Sequence, residues 1–163
     1  MIPLLIDLKN ESVLIAGGGG VAKRRLELLL AEEASITLVS PEIDSDIKEW
    51  ISQERLTWLP RKIEEKDLSG YRLIVAATND SEVNRWISET AGKHTLVNVV
   101  SKASEGNVQV PKILKKGRLT ISISTGGASP KVSKELGNKI MQLLDDDLAE
   151  KLDLLWDERN NRK

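Results

Sequence analysis

Cysteine is absent from the 163 residues, and histidine occurs once, at His94. Disulfides, thiolate zinc sites and cysteine nucleophiles are thereby excluded, and one chain cannot assemble a metal cluster from histidines. No sign of charge prevails: 24 Lys and Arg against 25 Asp and Glu leave a net charge of −1. The chain as a whole has no surplus for nucleic acid, so any basic site must be a local patch. Long apolar runs are missing as well. The opening stretch, MIPLLIDLKNESVLIAG, is interrupted by Asp7, Lys9, Asn10 and Glu11, well short of the roughly 20 apolar residues that a membrane span needs. It also lacks a basic leader region and a small-residue cleavage site. The expectation is a soluble, cytoplasmic protein with no membrane and no nucleic-acid partner. Its length suits one packed domain with an appendage.

What is present is an alternation of strand-like and helix-like segments. SVLIA (12–16) is a short apolar run ending in glycine, 20–33 reads as a helix with Val21, Leu26, Leu29 and Leu30 on one side, and SITLV (35–39) is a second β-branched run. A helix over 44–53 and a short strand LTWLP follow. YRLIVAAT (71–78), a capped helix over 80–93 and HTLVNVV (94–100) then repeat the rhythm. About five strands alternating with helices predict an α/β fold, a Rossmann-like doubly wound parallel sheet. After Val100 the texture changes. VQVP is expected as a brief strand, KKG as a turn, and RLTISIS (118–124) as a half-buried strand at a sheet edge or subunit contact. Two amphipathic helices close the chain. The first, with Ser129 as N-cap and Pro130 at the first helical position, carries Val132, Leu136, Ile140, Leu143 and Leu144. The second carries Leu148, Leu152, Leu155 and Trp156.

Three stretches carry chemistry. Gly17-x-Gly19-x-x-Ala22 follows a strand and opens a helix, the setting in which such glycines cradle a dinucleotide's pyrophosphate at a helix N-terminus. Gly18 falls at a position the motif leaves free. The next strand ends Val39-Ser40-Pro41-Glu42, with a serine at the usual place of the ribose-binding acid, Glu42 two residues late, and no arginine for a 2′-phosphate. AATND (76–80) lies at the carboxyl end of a central strand, where Thr78 and Asn79 could contact a cofactor or cap the next helix. A bound dinucleotide, NAD or NADP, would thus meet Gly17, Gly19, Gly20, Val21, Ser40, Pro41, Glu42, Thr78 and Asn79. STGGASPK (124–131) is a second glycine turn before a helix. It reads either as a plain N-cap turn or, together with Lys102, Lys112, Lys115, Lys116, Arg118, Lys131 and Lys134, as a site for an anionic substrate. His94 stands at the amino end of its strand, away from the cofactor edge, and reads as an ordinary residue.

PLLIDLKNESVLIAGGGGVAKRRLELLL, VAATND, VNVV, GNVQVPKIL and STGGASP, in this order over residues 3–130, resemble the precorrin-2 dehydrogenase and ferrochelatase module of siroheme synthases. The resemblance implies an NAD-binding domain over 1–112, a dimerisation segment over 113–145 that includes the alternating strand, and the start of a C-terminal helical region over 146–163. It also implies a homodimer and the NAD-dependent oxidation of precorrin-2, a tetrapyrrole, to sirohydrochlorin, with iron insertion as a second activity in some members. Two positions depart from the pattern. Gly20 stands where many members have an acid, and Ser101 stands where many have the aspartate proposed as acid or base. Glu105 is the nearest carboxylate and becomes the candidate base, with Ser101 and Ser124 as further candidate catalytic residues. The metal ligands of a chelatase stay unknown. The alternative to an enzyme is a nucleotide-sensing regulatory module. Modules of that class present an acid at the second strand's end and lack the STGGASP turn.

Overall fold

The computed structural model describes residues 1–145 and 147–161. They form two compact units, Met1–Gln109 and a second that begins at Val110.

The first unit is a five-stranded parallel sheet of β1 (Ser12–Ala16), β2 (Ser35–Val39), β3 (Thr57–Leu59), β4 (Leu73–Ala76) and β5 (Leu96–Val99), in the order β3-β2-β1-β4-β5. This is the doubly wound arrangement that the alternation predicts. The order in which the strands are added reverses between β1 and β4, so a crevice opens at their carboxyl ends. Strands β1 and β4 are buried on both faces, which is why they read as continuous apolar runs rather than alternating ones. Helices α1 (Gly20–Ala31) and α2 (Ser45–Ser52) cover one face and α3 (Ser81–Thr90) the other. Helix α1 buries Ala22, Leu26 and Leu29, spaced for one face. Val21 turns outward instead, because it lies about 100° around the helix from Ala22.

The second unit is an antiparallel hairpin of β6 (Lys112–Lys116) and β7 (Leu119–Ile123), followed by α4 (Pro130–Leu143) and α5 (Leu148–Asn161). Two expectations change here. Residues 108–110 form no strand, and the two lysines expected in a turn, Lys115 and Lys116, lie within β6. The reversal falls at Gly117, whose φ of +55° suits glycine. Helix α4 presses its small residues, Ser133 and Gly137, inward. A Cβ on Gly137 would lie 3.2 Å from Leu114, so the apolar stripe of Val132, Leu136 and Leu143 is left exposed. No helix among the described residues is long and apolar enough to cross a membrane.

Candidate functional site

A cavity of about 900 Å³ opens at the carboxyl ends of the parallel strands, at the point where their order reverses. Its wall includes Gly17, Gly18 and Gly19 from the turn after β1. These glycines are not equivalent. Gly17 has φ +112°, donates its N–H to the Val39 carbonyl at 2.9 Å, and has so little room that a Cβ would lie 2.2 Å from the Ala77 carbonyl oxygen. Gly18, expected at a free position, is as tightly held. A Cβ there would lie 2.2 Å from the Glu42 carbonyl oxygen and 2.8 Å from Ile43, because Asp44 N–H bonds the Gly18 carbonyl at 2.8 Å and draws the loop after β2 onto it. At Gly19 and Gly20 a Cβ would meet nothing within 4 Å. No side chain caps α1, so its leading N–H groups stay available.

The other walls come from the neighbouring strand ends. Ser40 is buried and spends its hydroxyl on the Glu42 carbonyl at 2.6 Å, while Trp58 Nε1 donates to the Ser40 carbonyl at 3.0 Å. Pro41 and Glu42 line the cavity and are exposed. After β4, Thr78 uses its hydroxyl within the turn, 2.8 Å from Asn84 Oδ1 and 2.9 Å from the Asp80 carbonyl, while Asn79 stands exposed in the cavity wall. The cap of α3 is Asp80, which accepts from the N–H groups of Glu82 and Val83.

The cradle fits a dinucleotide. Unfilled space stands over Gly19 and Gly20, and nothing competes for the N–H groups at the start of a helix whose dipole attracts phosphate. The comparisons with known proteins agree. Residues 4–112 match a family model described as "Putative NAD(P)-binding". Precorrin-2 dehydrogenase of Bacillus subtilis is 43% identical over 162 residues, covering 99% of this chain and all of that one. The chain belongs to the precorrin-2 dehydrogenase family. The precorrin-2 dehydrogenase of Priestia megaterium is 37% identical over 96% of this chain and 78% of its own length. The solved structure of "SirC, precorrin-2 dehydrogenase" superposes with a TM-score of 0.85 at 37% identity, covering 96% of this chain and 78% of that one.

Within this family member, the structure does not gather every expected residue at the cleft. Gly20 and Val21 follow on α1 outside the cavity wall. Ser101, just after β5, is exposed, and its hydroxyl accepts from Asn84 Nδ2 at 3.4 Å. Ser124 belongs to the second unit, where its hydroxyl accepts the Gly126 N–H at 3.2 Å. Several of the basic residues are engaged: Lys102 by Glu105, Lys116 by the Leu144 and Asp145 carbonyls, and Arg118 by Asp153 and the face of Trp156.

Glu105 is outside the cavity wall. Its carboxylate accepts from Lys102 Nζ at 3.0 Å and from Arg85 Nη2 at 3.2 Å. The Lys102 ammonium, with Arg85 beside it, holds this carboxyl below the ordinary range, so it is a poor proton acceptor. Glu105→Gln is therefore expected to keep turnover within about twofold of the native rate. The stabilisation from a lowered carboxyl pKa is present above the ordinary value near 4.5 and is lost as pH falls through the lowered value. Melting curves should show the variant less stable near neutrality, with the gap closing as the pH falls below the ordinary carboxyl value of 4.5. A gap that persists in acid would refute the pairing.

Sequence reasoning missed part of the wall. Lys62 and Ile63, beyond β3, and Val83 and Trp86, one turn apart on α3, also line the cavity. The segment bearing Lys62 and Ile63 is held by Arg61, whose two terminal nitrogens each lie 2.6 Å from an Asp67 oxygen. The available signal was the i, i+3 pair of Val83 and Trp86 on the helix after AATND.

Proposed function

We propose that this chain oxidises precorrin-2 to sirohydrochlorin with NAD. One observation carries the reading: an uncapped, unfilled glycine cradle at the sheet's switch point, in a chain 43% identical over nearly its whole length to a precorrin-2 dehydrogenase. Gly19 and the first turn of α1 present N–H groups to the pyrophosphate. Glu42, exposed at the end of β2, accepts from the adenosine ribose, and Ile63, Val83 and Trp86 offer an apolar wall for the adenine. The nicotinamide, when bound, supplies the hydride acceptor. Asn79 and Ser101, at the ends of β4 and β5, are placed to orient the ring and the substrate beside it.

The reading includes a cytoplasmic homodimer with 113–145 as the dimerising segment. Support comes from the two-stranded β6–β7 sheet, which pairs with no further strand among the described residues. Exposed apolar side chains on α4 and α5, among them Leu143 at 82% and Leu154 at 65%, also favour a covering partner. The protein should sediment as a dimer.

The decisive assay is anaerobic. Precorrin-2 and NAD should yield the absorption of sirohydrochlorin, and omission of NAD should yield none. A folded, dimeric preparation that binds NAD and forms no product would overturn the activity in favour of a nucleotide-sensing module. Iron or cobalt added without NAD tests chelation separately.

A further inference from the structure

We infer that Asn84 is a positioning residue for the nicotinamide half of the cleft, clamping the turn after β4 to Ser101, two residues beyond β5. The inference rests on reading the cleft as a dinucleotide site. Asn84 lies on α3, is 1% exposed, and is outside the cavity wall. A buried amide in a helix is unfavourable unless all its groups are satisfied, and this one is satisfied entirely by strand ends. Its Oδ1 accepts from the Thr78 N–H at 3.0 Å and lies 2.8 Å from the Thr78 hydroxyl. Its Nδ2 donates to the Thr78 carbonyl at 3.0 Å and to the Ser101 hydroxyl at 3.4 Å.

The sheet explains why one side chain reaches both. Strands β4 and β5 run parallel with Ala76 opposite Val99, so Thr78 and Ser101, two residues further on, leave the sheet side by side. A dinucleotide with its pyrophosphate at the start of α1 and its adenosine towards Glu42, beyond β2, would have its nicotinamide on the side of β4 and β5, which flank β1 opposite β2. Thr78, Asn79 and Ser101 stand there. Asn84 touches none of the ligand and acts through the Thr78–Asn79 turn and Ser101.

Asn84→Asp tests this. A carboxylate keeps the two acceptor roles but loses the donors to Thr78 and Ser101, and it sets negative charge against the Thr78 carbonyl. Calorimetric titration should show NAD affinity falling about five- to tenfold. ADP-ribose, which lacks only the nicotinamide ring, should bind within about twofold of its affinity for the native protein. Once protonated, the new carboxyl can donate again, so the variant's NAD affinity should recover as pH is lowered from about 8 to 5, while the native protein's does not. Ser101→Ala, at an exposed position that threatens no fold, should shift NAD alone in the same direction by about twofold. Equal weakening of both ligands, no weakening of NAD in either variant, or a pH-independent defect would overturn the role. Selective loss of NAD in a protein that leaves precorrin-2 unchanged would support the role and overturn the activity proposed above.

Discussion

Gly19→Asp should weaken NAD binding at least a hundredfold while the protein unfolds at the native temperature or slightly above it. Room for the side chain is already there, since a Cβ at Gly19 meets nothing within 4 Å and its φ of −87° and ψ of −173° suit any residue. Aspartate is a good N-cap, better than glycine by a few tenths of a kcal/mol. The carboxylate would satisfy the N–H groups of the first turn of α1, the same groups the pyrophosphate needs, and would repel it by charge. A hundredfold loss corresponds to about 2.7 kcal/mol, less than two charged hydrogen bonds and a like-charge contact together would supply. Titration with NAD and a thermal melt on the same sample check both halves. Unchanged affinity would remove the turn from the site.

Gly17→Ala should do the reverse, destabilising the fold first. Alanine at φ +112° is strained, and its Cβ would lie 2.2 Å from the backbone oxygen of Ala77. Backbone cannot yield there without separating β1 from β4 beyond their paired residues, Ala16 and Ala76. Strain and overpacking together should lower stability by about 3 kcal/mol or more, read as a lower urea midpoint at unchanged slope. NAD affinity of the folded fraction would fall as a consequence of the displaced turn. Native stability in this variant would mean that the close approach does not exist in solution. The two substitutions, two residues apart in one glycine run, thus separate a position that shapes the protein from one that leaves space for the ligand.

The parallel sheet was legible in advance because its signals are local. Buried strands read as short apolar runs, helices as one-sided periodicity, and the glycine turn as punctuation between them. The boundaries shifted by only a few residues: α1 ends at Ala31 and α3 spans Ser81–Thr90. Strand β6 escaped because three of its five residues are lysines. Its strand character comes from pairing with β7, which no local pattern encodes. The apolar stripe of α4 was visible too, but the helix packs by its serine and glycine instead, since close approach to the hairpin admits only small side chains there.

By itself, the run IAGGGGVAKRRL determined a strand, a turn and a helix N-terminus able to receive phosphate, since backbone conformation and helix dipoles follow from neighbouring residues. Tertiary structure alone decided which glycine does what. Gly18 is confined by Glu42 and Ile43, more than twenty positions away, while Gly19 faces open space. Contacts between distant residues likewise settled where Glu105 and Asn84 spend their polar groups. Arg85, twenty residues before Glu105, holds that carboxylate in an ion pair, and Asn84 reaches across to Ser101, seventeen residues on. Charge pairing and buried hydrogen bonds depend on which groups meet in space, and in this chain the register of β4 and β5 brings Thr78 and Ser101 together.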